Sequence, residues 1–303
     1  AWIAGSSPAS SYHLVEAALY ALGPAGLCWL AARLSGSLGC GMLAGALYSL
    51  VSPSAFLISN VRDDLGGLFN MRRLHKIVYY GDAPYVSALA LVPLALLALD
   101  VALAKRRPAA YLMAALAMVA VVLTNWLGAA ALALGVLAYL LGHTEPRRAW
   151  PATLGIAVLA YALASPLIPP STLKAIQFNA QTIGGHFEMG WRHVGYAAAM
   201  ALAAGMILLP CRRLRAPWHL RTAGVFLMFT GGIALAAEWA GVSMLPQPER
   251  YHQAMDMAVC LALAFAAWPL LRRLPPRART AAAVMAVAIC IGQAYRLRRY
   301  ADG

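Results

Sequence analysis

Residues 86–107 have the sequence VSALALVPLALLALDVALAKRR, a long apolar run that ends in Lys105, Arg106 and Arg107. An α-helix rises about 1.5 Å per residue, so about 20 apolar residues cross the hydrocarbon core of a bilayer. Short loops rich in lysine and arginine stay in the cytoplasm. This stretch therefore predicts a transmembrane helix whose C-terminal end faces the cytoplasm.

The same arrangement recurs along the chain, because basic clusters occupy every second link between apolar runs. Their members are Arg33, Lys105, Arg106, Arg107, Arg147, Arg148, Arg212, Arg213, Arg215, Arg272, Arg273, Arg277 and Arg279. The 303 residues are 62% hydrophobic, whereas a soluble domain is typically about half apolar. The clusters explain much of the net charge of +13, so that charge does not indicate a nucleic-acid partner. We predict an all-α, polytopic transmembrane helical bundle with the lipid bilayer as its partner.

Placing every basic cluster in the cytoplasm predicts about eight full spans. These are residues 12–33, 37–58, 86–104, 150–168, 194–210, 219–240, 250–271 and 279–295. The run 109–142 has basic clusters at both ends and must turn back, which predicts a short re-entrant helix pair with its turn at residues 124–128. Residues 67–80 and 171–183 are amphipathic and predict two helices in the outer interface.

No repeat or linker divides the chain, so we predict a single transmembrane domain over residues 1–303. The abrupt start at Ala1, without a methionine, indicates an N-terminally truncated fragment. With the basic clusters inside, the links that hold most of the acids and histidines lie together on the non-cytoplasmic face. We expect a functional site among those links.

Two adjacent carboxylates, Asp63 and Asp64, follow Arg62 at the predicted outer edge of the membrane. Such a pair can bind a divalent cation or supply a general base. Equally, one carboxylate can cap the following helix while Arg62 forms an ion pair at the rim. We treat Asp63 and Asp64 as candidate catalytic residues and Arg62 as a candidate substrate contact, with both interpretations open.

A polar stripe opens the predicted helix 250–271. Its members are Glu249, His252, Gln253 and Asp256, which helical spacing places on one face. A polar stripe that enters a bilayer is costly unless it faces a cavity or partners inside the bundle. We therefore favour a substrate-binding role for the stripe and its neighbours Arg250 and Tyr251, over a helix-end network with His252 bonded to Asp256.

Three cations, Arg72, Arg73 and Lys76, lie on one face of the predicted helix 67–80. Arginine forks match phosphate oxygens well, which suggests a specific phosphate site. Contact with anionic lipid headgroups explains the same cations equally well. Arg250 is the better candidate for a specific contact, because it adjoins the acidic stripe.

His13 and Glu16 lie one turn apart on the first predicted span. This spacing can present two metal ligands, and it also fits an ordinary hydrogen-bonded pair. A divalent cation is therefore a possible cofactor, held here or by the carboxylates Asp63 and Asp64.

Several short motifs resemble those of one membrane-enzyme superfamily. They are Leu47-Tyr48-Ser49-Leu50 with Ser52-Pro53, Arg62-Asp63-Asp64, Leu123-Thr124-Asn125-Trp126 and Pro248-Glu249-Arg250-Tyr251. Together they are similar to polytopic GT-C-type glycosyltransferases, especially to bacterial membrane proteins labelled 6-pyruvoyl-tetrahydropterin synthase-related. The likeness covers most of the chain, although its motifs are short and degenerate.

The resemblance implies an integral protein of the bacterial inner or plasma membrane that takes sugar from a polyprenyl-phosphate carrier on the non-cytoplasmic face. It would make Asp63 or Asp64 an acid of the second outer loop and Arg250 a contact of the carrier phosphate. In that superfamily the catalytic acid usually lies on the first outer loop, and under the resemblance this chain would begin near the end of that loop and lack that acid.

Three functional hypotheses follow from these observations. The first is a GT-C-like glycosyltransferase that moves sugar from a polyprenyl-phosphate-linked donor to an extracytoplasmic acceptor. The second is a transporter or flippase in which Glu16, His252 and Asp256 carry ions or protons. The third is a non-catalytic scaffold of envelope assembly.

Overall fold

The computed structural model describes residues 7–65, 70–144, 146–182, 187, 189–275, 277–278, 280–281, 284, 288–289 and 291–292. Within these residues there is no strand, which confirms the all-α class. The helices are α1 Pro8–Ser35, α2 Leu38–Leu50, α3 Ser54–Leu57, α4 Ser59–Leu65, α5 Arg72–Tyr80, α6 Ala83–Lys105, α7 Pro108–Thr124, α8 Trp126–Gly142, α9 Pro146–Ala164, α10 Pro170–Thr182, α11 Trp191–Arg213, α12 Trp218–Ala240 and α13 His252–Leu271. A 3₁₀ turn, Pro248–Tyr251, leads directly into α13.

Five helical segments of the described chain are long and apolar enough to cross a membrane: α1, α6, α11, α12 and the 3₁₀ turn with α13. The protein is therefore an integral membrane protein, but the prediction of eight full spans is not supported. Predicted span 37–58 ends early, span 150–168 becomes a shorter apolar helix, and span 279–295 lies mostly outside the described residues.

The predicted span 37–58 ends early because of Pro53. The helix α2 stops at Leu50, and Val51 is already extended. Proline lacks the N–H group that a helix needs and disfavours the helical conformation in the residue before it. The short helices α3 and α4 follow, and they bring Ser54 and Asp64 to the same end of the bundle as α5.

The run 109–142 forms two helices, α7 and α8, with the predicted break at Asn125. The Asn125 side-chain oxygen accepts hydrogen bonds from the backbone N–H groups of Leu127 (2.9 Å) and Gly128 (3.4 Å), which caps α8. Each helix has 17 residues, about 26 Å. Gly128 lies against Ala88, near the start of α6, so the pair runs along most of that span.

The two ends of the bundle differ in character. We call the end at which α6 begins the α5 end, because α5 lies there together with α4 and the 3₁₀ turn. We call the opposite end, at which α6 ends in Lys105, the basic end. The helix α8 runs parallel to α6, since Gly128 lies against Ala88 and Gly135 against Leu96.

Close packing between α8 and α12 makes Gly142 intolerant of a side chain. A Cβ atom there would lie 2.2 Å from the Thr222 hydroxyl and 2.7 Å from the Thr222 backbone nitrogen. A shift of the Thr222 backbone would cost free energy. We therefore expect Gly142→Ala to lower the free energy of unfolding by about 1 to 3 kcal/mol. Thermal unfolding in detergent measures this change.

Gly155→Ala on α9 is the matched control for Gly142→Ala. A Cβ atom at Gly155 meets nothing within 4 Å, and alanine is the better helix former, so its melting temperature should stay the same or rise. Equal destabilisation by both substitutions would contradict the close approach of α8 and α12.

Candidate functional site

A cavity of about 300 Å³ opens at the α5 end, between α4, α5, α12 and the 3₁₀ turn. Its charged wall residues are Asp64, Arg72, Lys76, Glu238, Glu249 and Arg250. Tyr80 and His252 also line it. This volume falls at the lower end of the range of small-molecule sites. The cavity therefore combines acids and cations from two regions that are far apart in the chain, residues 58–80 and 234–252.

Arg72 is the centre of this site, although only 4% of it is exposed. Its Nη1 group donates to the Asp64 carboxylate and lies 3.2 Å from His75 Nδ1, and its Nε group donates to His252 Nε2 at 3.3 Å. The Ser52 hydroxyl accepts from its backbone N–H at 3.0 Å. Arg72 thus ties α4, α5 and α13 together.

The contacts of His252 decide its tautomer. Arginine can only donate, so Nε2 of His252 accepts from Arg72. The Glu249 carbonyl can only accept, so Nδ1 of His252 donates to it, at 2.5 Å. His252 is therefore a neutral ring with its proton on Nδ1. The sequence alternative of a His252–Asp256 pair is wrong.

The helix α5 turns its basic face into the protein. Arg72 and Arg73 are almost completely buried, whereas Val78, Tyr79 and Tyr80 are each more than half exposed. The interpretation of Arg72 and Arg73 as general lipid-headgroup contacts is contradicted by this burial. Buried arginines need acceptors or counter-charges, and the bundle supplies Asp64 and His252 for Arg72 and the Tyr20 carbonyl for Arg73.

Arg73 lies beside two aromatic rings in the wall of a second, very small cavity. Its guanidinium carbon is 4.6 Å from the centre of the Tyr20 ring and 4.4 Å from that of Tyr48, and Nη2 donates to the Tyr20 carbonyl at 2.8 Å. Its Nε and Nη1 atoms have no hydrogen-bond partner among the described residues. Asp256 lines the same cavity of about 10 Å³.

Asp256 is buried within the α13 segment, as the polar stripe predicted, and its partner is α3. The carboxylate accepts from the Ser54 backbone N–H at 2.5 Å and from the Ser54 hydroxyl at 2.9 Å. His252 and Gln253 are buried as well, while Glu249 is exposed. Three of the four stripe residues therefore face the interior of the bundle.

Arg250 pairs with an acid that the sequence analysis did not single out as a site residue. Its Nη1 atom lies 3.2 Å from Asp82, which also accepts from Gln253 Nε2 at 3.3 Å. The Tyr85 hydroxyl donates to the Arg250 carbonyl at 3.2 Å. Burial raises the pKa of Asp82, and the Arg250 cation opposes that rise. Asp82 immediately precedes α6, and that position was its only sequence signal.

The pKa values of the ionisable groups in the cavity are shifted by burial and by hydrogen bonds. Burial alone would raise the pKa of Asp64, but hydrogen bonds from Tyr80 (2.6 Å) and Arg72 outweigh it and bring this pKa below its ordinary value. Burial lowers the pKa of both His75 and Lys76. The Lys76 nitrogen lies 3.9 Å from the centre of the Tyr80 ring. Asp64 is therefore held ionised against Arg72.

The remaining candidates lie away from the cavity wall. Asp63 is largely exposed and its carboxylate is 3.7 Å from Arg62, so the structure brings Asp64 but not Asp63 to the site. Tyr251 is fully buried in the core.

His13 and Glu16, the predicted metal ligands, form a hydrogen-bonded pair at 3.1 Å. Among the described residues there is no group of three histidines, cysteines or acids that could hold a metal.

A polar cluster near the basic end was missed by the sequence analysis. Arg33 donates to Asp100 at 2.7 Å, and the Tyr139 hydroxyl donates to the other carboxylate oxygen at 2.8 Å. Asp100 lies inside the apolar run of α6, and a carboxylate within a span normally needs a partner. The sequence signal for this cluster was therefore Asp100 itself, an acid inside an apolar run. The cluster joins α1, α6 and α8.

Comparison of the chain with models of known protein families, with curated proteins and with solved structures finds no match in any of the three. The resemblance to GT-C-type glycosyltransferases is therefore neither supported nor opposed by relatives.

Proposed function

We propose that the protein is a GT-C-like membrane glycosyltransferase that moves sugar from a polyprenyl-phosphate-linked donor to an acceptor on the non-cytoplasmic face. The observation that carries the proposal is the 300 Å³ cavity at the α5 end, which combines Arg250 and Lys76 with Glu249 and Asp64. Transfer from a phosphate leaving group needs both a base for the acceptor and cations for the phosphate.

We assign the phosphate contacts to Arg250 and Lys76. Arg250 uses Nη1 for Asp82, and 40% of its side chain stays exposed at the cavity. Its planar guanidinium can offer two parallel N–H groups to a phosphate. Arg72 has a different task, because it is buried and engaged by Asp64 and His252. It positions the walls of the site.

We assign the base to Glu249. Its side chain is exposed at the wall of the cavity, on the turn that also presents Arg250. Asp64 is less suitable, because it accepts from Arg72 and Tyr80 and its pKa is lowered. In this proposal Glu249 takes the proton of the acceptor hydroxyl, the new glycosidic bond forms at the anomeric carbon, and the polyprenyl phosphate leaves with the electron pair.

The membrane orientation in this proposal follows from the basic end. Short loops rich in arginine and lysine stay in the cytoplasm, so the α5 end would face the opposite compartment. The carrier lipid would then enter from the bilayer, with its phosphate at the level of Arg250. A bacterial inner membrane is the setting that the sequence resemblance implies.

The proposal predicts that Arg250→Ala weakens polyprenyl-phosphate binding by about 2 to 4 kcal/mol, because a charged phosphate loses its forked partner. Arg250→Lys should recover only part, since an ammonium cannot make a two-point contact. Binding is measured on protein in nanodiscs, and sugar transfer is measured on the same preparation. Glu249→Gln should lower turnover about 100-fold or more while leaving carrier binding in place.

Lys174→Ala on α10 is the control, because it removes an exposed cation that does not line the cavity. Unchanged carrier affinity in Arg250→Ala, together with a lower melting temperature, would mean that Arg250 only pairs with Asp82. Full turnover in Glu249→Gln would refute the assigned base. Loss of affinity in Lys174→Ala to the same extent would show a general effect of surface charge.

A further inference from the structure

A third cavity, of about 340 Å³, lies at the basic end, far from the proposed glycosyltransferase site. Its polar wall residues are Arg106, Tyr111, His143 and Arg148. Arg106 follows α6, His143 follows α8, and Arg148 lies in the first turn of α9. Three separate helices therefore direct basic groups to one concave surface. Such a surface is suited to an anion.

The backbone of Arg106 gives an independent reason to assign a role to its side chain. Arg106 has φ 51° and ψ 38°, the left-handed conformation, at the C-terminal cap of α6. Glycine adopts this conformation without steric cost, and other residues rarely do. An arginine at a position that suits glycine is explained if its side chain is needed at the cavity.

An apolar groove of about 400 Å³ lies farther from the basic end, between α7, α8 and α9. Trp150, Leu154, Ala157 and Tyr161 of α9 line the groove, while Arg148, Ala149 and Ala152 of the same helix line the basic cavity. Leu154 is 67% exposed and Trp150 44% exposed, so the groove opens toward the surroundings of the bundle. In an integral membrane protein those surroundings are lipid chains.

We propose that this composite site binds one anionic phospholipid, with its phosphate at Arg106 and Arg148 and one acyl chain in the groove. Basic pockets between membrane helices recognise anionic headgroups, and arginine forks match phosphate oxygens. A zwitterionic lipid offers the same phosphate but carries a compensating cation, so it binds more weakly. The site is separate from the α5-end cavity and does not depend on the function proposed there.

The test is native mass spectrometry of the delipidated full chain with added phosphatidylglycerol or phosphatidylcholine. We expect phosphatidylglycerol to bind more tightly, and the double variant Arg106→Gly with Arg148→Gln to lose that binding about 10- to 30-fold. Glycine suits the left-handed backbone at position 106, so Arg106→Gly removes the side chain without straining the backbone, and its melting temperature is measured on the same preparation. A loss of binding without a loss of stability separates the site from a folding defect.

Two further variants complete the test. Arg107→Gln removes a cation at the same end that does not line the cavity, and it should leave binding unchanged. Ala157→Trp fills the groove from its exposed side and should weaken phospholipid binding. Equal affinity for the two lipids, or an equal loss in Arg107→Gln, would overturn the proposal. An unchanged affinity in Ala157→Trp, with inorganic phosphate competing fully, would show a site for free phosphate instead.

Discussion

Arg72→Ala is expected to lower the free energy of unfolding by about 3 to 5 kcal/mol, because removal of one partner leaves the other groups buried and unpaired. Asp64 would lose its cation, and His252 would lose the donor to Nε2. If the proposed function holds, the same substitution should abolish carrier binding, because α4, α5 and the 3₁₀ turn would no longer be held around one cavity. Chemical or thermal unfolding in detergent and a binding assay measure the two effects.

Arg62→Ala is the matched control for Arg72→Ala. Arg62 also pairs with an aspartate, Asp63 at 3.7 Å, but both side chains are exposed. Exposed ion pairs contribute about 0 to 1 kcal/mol, so the control should unfold almost like the wild type. Arg72→Lys should remain less stable than the wild type, because an ammonium cannot serve Asp64 and His252 in the fixed geometry of a guanidinium. Wild-type stability in Arg72→Ala would contradict its central role.

The helical elements were largely predictable from local sequence. The break at Asn125 was predicted, and it follows from side-chain capping, which acts within a few residues. The break at Pro53 follows from an equally local rule, the missing N–H of proline, but the predicted span 37–58 did not take it into account. The polar stripe of α13 was also predictable, because helical spacing alone places His252 and Asp256 on neighbouring positions of one face. These features need no knowledge of the rest of the fold.

The pairing of charges was not predictable, because it depends on long-range packing. Arg72 and His252 are 180 residues apart, and Asp82 and Arg250 are 168 residues apart. The helix α5 shows the difficulty clearly. Its pattern gives one basic face and one more apolar face, but the pattern does not say whether the basic face meets water, lipid headgroups or protein. The basic face of α5 packs against protein because Arg72 and Arg73 find acceptors there.

Asp256→Ala is expected to have a similar effect, about 3 to 5 kcal/mol, for a different reason. The carboxylate is buried, and its loss would leave the Ser54 N–H and hydroxyl groups without their acceptor. It would also remove negative charge from the cavity that Arg73 lines. Asp63→Ala, an exposed carboxylate, is the control and should be nearly neutral.

Asp256→Asn separates the two contributions to this effect. The amide keeps an oxygen for Ser54 but removes the charge, so its cost measures what the charge contributes to holding Arg73. We expect at least half of the loss seen in Asp256→Ala, because two nitrogens of the buried Arg73 have no hydrogen-bond partner among the described residues and Asp256 lines the same cavity. In an Arg73→Met background the same Asp256→Asn change should cost little, because the other buried cation of this cavity, Arg72, already pairs with Asp64. Equal costs of Asp256→Asn in both backgrounds would show that Asp256 serves Ser54 alone and that Arg73 is stabilised by the Tyr20 and Tyr48 rings.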